Sequence, residues 1–268
     1  MILFLVTACA WGDEKRGNIE QDQRWTLEGS PYLVTDDILI PRGVRVVISP
    51  GVKIIISKPH HLLPNIPQID NLDSFSVSIK VKGVLSCVGK RDSRIQFIGE
   101  YSDSFHCEWY GLIIDSSVGG YTECAFTDIS GSCKGLIVRS CNINIRNCTM
   151  TFNNIGITCE QNSRPSIYNS VIAHNFTAGL KLSHSNPTIH NSIFIYNKVN
   201  GIIGDNISRM TFTHNCLWEN GDGNFLNCDP QLGVVVKTNK NKDSTDYQSN
   251  LLSNPIFAGS PSDSTSVE

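Results

Sequence analysis

Apolar and polar residues alternate in short bursts along the second half of the chain. Gly156-Ile157-Thr158-Cys159-Glu160 and Gly179-Leu180-Lys181-Leu182-Ser183 carry the period of two that marks a strand with one buried face. A second strand region follows in each unit, at Ile145-Arg146-Asn147, Ile167-Tyr168-Asn169 and Ile189-His190-Asn191. Behind it lies a bulky column of Met150, Ile172, Phe194 and Trp218. No segment keeps a helical apolar period over a useful length.

These bursts recur at a nearly fixed step. One asparagine column is Asn147, Asn169, Asn191 and Asn215, with steps of 22, 22 and 24 residues; a second is Asn153, Asn175, Asn197 and Asn220, with steps of 22, 22 and 23. Gly135, Gly156, Gly179 and Gly201 run beside them. A repeat of this length predicts a solenoid, whose units bury their apolar faces only against their neighbours. Ile145, Ile157, Ile167, Leu180, Leu182, Ile189 and Ile202 are expected to face inward. Each asparagine is expected to bond its equivalent one coil away, so that Asn169→Ala or Asn191→Ala would leave a buried amide unpaired.

The repeat, Ile-x-Asn-(Cys or Ser)-x-apolar-x-x-Asn followed by Gly-Ile or Gly-Leu, resembles that of bacterial right-handed parallel β-helix proteins of the pectate-lyase-like superfold. Trp25, Ser30-Pro31-Tyr32-Leu33-Val34, Asp37 to Val44 and Val46 to Ile54 are similar to the family's entry coil. Val81-Lys82-Gly83-Val84-Leu85, Arg94 to Phe97 and Trp109 to Ile113 continue the match in order. The resemblance implies an all-β, single-stranded right-handed parallel β-helix of about eight coils over residues 25–257. Residues 57–76, with Pro59, Pro64, Pro67, His60 and His61, are expected as an inserted surface loop. Asn254-Pro255-Ile256-Phe257 resembles the family's closing segment, and residues 258–268 read as a disordered tail.

Composition adds a location. Lys+Arg 22 against Asp+Glu 25 is sparse and balanced, which argues against nucleic acid as a partner. The start, Met1 to Cys9, is apolar, and Val6-Thr7-Ala8-Cys9 resembles a bacterial lipobox. That resemblance implies lipidation at Cys9, a polar tether up to Arg24, a membrane anchor, and residence in the bacterial cell envelope, at the outer membrane or exported; the protein is expected to be a monomer. A basic n-region is missing and the apolar stretch is short, so the true start is expected upstream. The competing reading is a short apolar start to a cytosolic protein. Nine further cysteines lack zinc spacing, and Cys124, Cys148 and Cys216 share a column with Ser170 and Ser192; they are expected as small buried thiols.

β-Helix enzymes work mainly on polysaccharides, from one outward sheet face. Here that face is expected to carry Ile137 and Arg139, Thr158 and Glu160, Lys181 and Ser183, Ile203 and Asp205. Glu160, Lys181 and Asp205 are therefore the catalytic candidates: a lysine to abstract a sugar proton, with carboxylates as acid and base or as Ca²⁺ ligands. The competing reading is a solvated ladder of unlike charges. The acidic calcium cluster of the lyases and the paired aspartates of the polygalacturonase-type hydrolases are both missing. A second surface offers planar groups in two columns, Arg146, Tyr168, His190 and His214, and Phe152, His174 and Tyr196. Such faces stack on sugar rings, although they also stack on one another. The expectation is a non-catalytic polysaccharide-binding or structural surface module without metal or other cofactor. The alternative is a lyase, epimerase or hydrolase acting on an anionic glycan, with Ca²⁺ possible.

Overall fold

A computed structural model describes residues 12–57, 77–100, 107–116 and 122–255. Cys9, most of the expected inserted loop and the expected tail lie outside them. The described chain winds into a right-handed parallel β-solenoid with three faces. Face C comprises Gln23–Trp25, Arg45–Ile48, Val84–Val88, Glu123–Ala125, Asn144–Arg146, Ser166–Tyr168, Thr188–His190 and Thr211–Thr213. Those eight parallel strands count the coils.

From face C each later coil turns into face A, as at Thr149–Thr151, and then into face B, as at Ile155–Glu160. Faces A and B are arms of one sheet. The long strand Tyr32–Ile40 joins them: residues 32–34 pair with Lys53–Ile56 on face A, and residues 38–40 with Ser78–Val81 on face B. The core between the faces is a stack of alternate residues. Ile145, Ile157, Ile167, Leu180, Leu182, Ile189 and Ile202 are all buried, as their alternation predicts.

The corner from A to B holds the second asparagine column. The backbone N–H groups of Asn153, Asn175 and Asn197 each donate to the side-chain Oδ1 of the next member, Asn175, Asn197 and Asn220, at 3.1 Å. Each side-chain Nδ2 donates forward to the same oxygens, at 3.3, 2.9 and 2.8 Å. It also donates back to Ile129, Met150 and Ile172 carbonyls. Asn153, Asn175 and Asn197 are fully buried, so a buried polar column survives because its amides are saturated. The glycine column makes room for it: a Cβ on Gly179 would stand 2.8 Å from the Gly201 carbonyl and 2.9 Å from Asn197 Nδ2.

The first asparagine column differs from expectation. Asn147, Asn169 and Asn191 sit at the corner from C to A with φ of 54°, 53° and 49°, and the last two are exposed. They are left-handed corner residues, a conformation asparagine tolerates, and form no buried ladder. Their fourth member is His214, φ 56°, and not Asn215. Asn215 belongs one place on, in a buried column with Cys148, Ser170 and Ser192. There the N–H of Cys148 donates to Ser170, that of Ser170 to Ser192, and that of Ser192 to Asn215. Asn215 passes the chain to Asn250, which ends on the buried carboxylate of Asp246.

The same one-residue shift moves other assignments. Leu217, not Trp218, stacks on Phe194, and Cys216 pairs with Ile193; Cys124 is a separate correction, since it aligns with Cys87 and Ile145, three places before the Cys148 column. The cause of the shift is an extra residue in the turn after Ile203: Lys181 to Ile203 is a step of 22, whereas Thr188 to Thr211 is a step of 23. The cysteines described are free and buried or half-buried. Burial pushes the Cys148 and Cys159 thiols well above the ordinary thiol value, so they stay protonated and inert.

The expected polar tether is also corrected. Glu14–Asn18 pairs in parallel with Tyr32–Ile40, and Gln23–Trp25 with Arg45–Ile48, so the stack takes in these residues ahead of position 25. Farther on, the polar stretch after Val236 forms a small antiparallel pair, Lys237–Thr238 with Ser244–Thr245.

The two asparagine columns predict unequal losses. Asn197→Ala removes the acceptor of two Asn175 donors and should cost on the order of 3 kcal/mol in chemical denaturation, at about 1–3 kcal/mol per orphaned group. Asn191→Ala should cost only about 1–2 kcal/mol, the price of a left-handed alanine. Equal losses, or the reverse order, would show that the buried ladder is misassigned.

Candidate functional site

The catalytic candidates lie on or beside the outward side of face B, but the structure does not assemble them. Asp115, Arg139, Glu160 and Ser183 are in register on successive coils. Arg139 Nε donates to Glu160 Oε2 at 2.7 Å, and Lys80 reaches Asp115 at 3.1 Å. Burial pushes the Asp115 carboxyl up, yet Lys80 and Ser116 outweigh it and hold it below the usual carboxylate value. Burial likewise disfavours the Arg139 cation, and Glu160 more than offsets it, raising its pKa. This row is a ladder of alternating charge, the ordinary way neighbouring strands pair.

Lys181 stands in a different column, between Thr158 and Ile203. The floor beside it is covered, with Ile137 fully buried and Thr158 only 2% exposed. Asp205 is built into the lengthened turn. Its carboxylate accepts from the N–H groups of His184, Ile207 and Ser208. Burial raises its pKa, and those backbone donors overcome this and hold it well below the usual range. Among the described residues no ion pair joins any two of Glu160, Lys181 and Asp205. Nor does any group of three His, Cys, Asp or Glu side chains there come together around a metal position.

The planar columns fare differently from each other. On face C, Arg146, Tyr168 and His190 are in register, but the next partner is Thr213, so His214 leaves the column. Arg146 is engaged with Glu123 at 2.6 Å, and His190 Nδ1 shares a hydrogen bond with the Thr213 hydroxyl at 2.7 Å. These contacts hold the sheet together and leave no continuous stacking surface.

The other column is a true ring ladder. Phe152, His174 and Tyr196 occupy the corner residue directly before each buried asparagine, with φ of 56°, 54° and 54°. That left-handed turn directs each side chain outward while the asparagine turns in. The rings stack at 5.5 Å and 8° between Phe152 and His174, and at 5.2 Å and 15° between His174 and Tyr196. They remain in water all the same: Phe152 is 52% exposed and Tyr196 37%.

The ends of the ladder were missed from sequence. Gly131, φ 75°, precedes Phe152 in the column and puts no ring on its far face; exposed Glu219, φ 45°, follows Tyr196. The signal was available, because both residues immediately precede a member of the ladder, Ser132 or Asn220. Ser132 donates to Asn153 from both its N–H and its hydroxyl. Chemically, the ladder offers exposed ring surface, a ridge of ring edges, a phenol and a carboxylate along one edge of the rod.

The three-faced stack with its amide ladder also defines a class. A family model described as right handed beta helix region matches residues 92–243, more than half of the chain, and this protein belongs to that family. No curated protein and no solved structure gives a significant match.

The Asp205 turn carries a pH prediction. A carboxylate with a depressed folded pKa contributes stability above its unfolded pKa and loses it as pH falls through the folded value. Asp205→Asn should therefore lower the melting temperature at neutral pH, and the gap from the parent should close as the solution is acidified below the ordinary carboxylate range. A gap that widens in acid would remove Asp205 from this role.

Proposed function

We propose that this β-helix is a non-catalytic carbohydrate-binding rod of a bacterial cell envelope, and that the ladder of Phe152, His174 and Tyr196 is its contact surface. The observation that carries the reading is three stacked rings kept in water at a corner where most residues would be small or polar. A sugar presents C–H faces that pack on aromatic rings and hydroxyls that seek nearby acceptors. The half-exposed ring of Phe152 takes the first kind of contact; Glu219 and the Tyr196 hydroxyl take the second. Glu160 and Asp205 are meanwhile committed to Arg139 and to a turn, which favours binding over turnover. A row of rings along the axis suits an extended polymer better than a single small molecule.

In a glycan array followed by titration, Phe152→Ala and Tyr196→Ala should each weaken the best ligand by about 1 kcal/mol, the scale of one lost aromatic contact. Lys181→Ala should leave affinity unchanged. Product formation from an anionic glycan that fails in Lys181→Ala while both ring variants stay active would replace this reading with the enzymatic one. Envelope anchoring through Cys9 rests on the resemblance of Val6-Thr7-Ala8-Cys9 to a lipobox. A palmitate analogue fed to expressing cells should label the parent and not Cys9→Ser; equal labelling of both, or none with the natural start in place, would remove the anchor.

A further inference from the structure

Exposed apolar bulk gathers at one end of the rod. Among the described residues nine large hydrophobic side chains are exposed: two belong to the ring ladder, one is Leu27, and the other six fall between Ile207 and Tyr247. Three are consecutive. Val234, Val235 and Val236 are 51%, 53% and 57% exposed, and they lead directly into the antiparallel pair Lys237–Thr238 with Ser244–Thr245. A run of open valines leading into a strand is a liability that soluble surfaces avoid unless something covers it.

The charge of the same segment bears on which partner would suit it. Residues 234–242 hold Lys237, Lys240 and Lys242 and no acidic residue, in a chain whose net charge is −3. All three lysines are exposed. The next residue, Asp243, is turned back into the hairpin, where its carboxylate accepts from Asn239 Nδ2 at 2.9 Å. The tip is pinned further by the N–H groups of Asn241 and Asp243, which both donate to Asn239 Oδ1 at 2.9 Å. The hairpin and the residues leading into it thus expose three valines and three lysines between positions 234 and 242, with Tyr247, 41% exposed, a few residues on. A second copy of this chain would bring the same three lysines against one another. A neutral apolar partner would leave them unanswered.

We propose that this hairpin docks on an anionic lipid surface. The valines enter the headgroup layer and the lysines lie against lipid phosphates. Apolar insertion combined with basic residues is what binds reversibly at a negatively charged interface, where each Lys or Arg adds a modest and roughly equal share. The contact is independent of any acyl chain at Cys9 and of the ring ladder.

The test is flotation of the full chain, carrying Cys9→Ser so that no acyl chain contributes, with neutral phosphatidylcholine vesicles and with vesicles containing phosphatidylglycerol. Binding is expected on the anionic vesicles only, and it should weaken steeply as salt is added. Each of Lys237→Gln, Lys240→Gln and Lys242→Gln should lower partitioning roughly fivefold. Val235→Asp should abolish it, with the melting temperature little changed because about half of that side chain already faces water. Absence of binding, equal binding to both vesicles, or indifference to the lysine variants would overturn the proposal. So would a concentration-dependent dimer in sedimentation velocity that Val235→Asp dissolves, which would assign the valines to a second copy.

Discussion

Everything in this rod depends on one constraint: a corner buried in a solenoid must find a partner for every backbone N–H it takes out of water. Strands answer that need on the faces, but the chain breaks its ladder at each turn. At the corner from A to B the answer is an asparagine on the next coil, whose Oδ1 accepts both the N–H and the side chain of the one before. The geometry then propagates. A neighbour close enough to accept leaves no room for a Cβ at Gly179, and the sharp turn puts the residue ahead of each asparagine in the left-handed region, facing water. Whatever occupies that position recurs at the coil spacing. Phe152, His174 and Tyr196 stack because Asn153, Asn175 and Asn197 are held in register beneath them.

That dependence explains what was legible in the sequence. Alternation at Gly156–Glu160 and the steps of the second asparagine column are direct consequences of burial and register, so the fold could be read from them. The first column misled because asparagine serves two different needs. Asn191 tolerates a left-handed corner in water, whereas Asn215 saturates a buried one; in one-letter terms they are identical. The turn after Ile203 gained a residue, and a step of 24 hid the change. The step of 23 between Asn197 and Asn220 in the neighbouring column would have revealed it, moving His214 and Trp218 to their true places. The opening strand was missed for another reason: four of the five residues in Glu14–Asn18 are exposed, as suits a polar edge, so no apolar period marks it.

The candidate chemistry divides along similar lines. Outward residues on face B could be assigned by parity, but parity says nothing about partners. Glu160 proved to answer Arg139, and Asp205 proved to answer the N–H groups of its own turn. Ring stacking was more readable, since residues spaced by one coil must meet. That Gly131 and Glu219 take the column's flanking positions became visible only once the corner was placed.

The ladder itself is most directly tested by native-state hydrogen exchange, read at the backbone N–H groups of Asn153, Asn175 and Asn197. The account predicts that all three exchange only when the whole stack unfolds, with rates that track global stability in denaturant. Exchange as fast as that of the exposed loop around Lys240 would contradict it, because those N–H groups would then be bonded to water and not to the next coil.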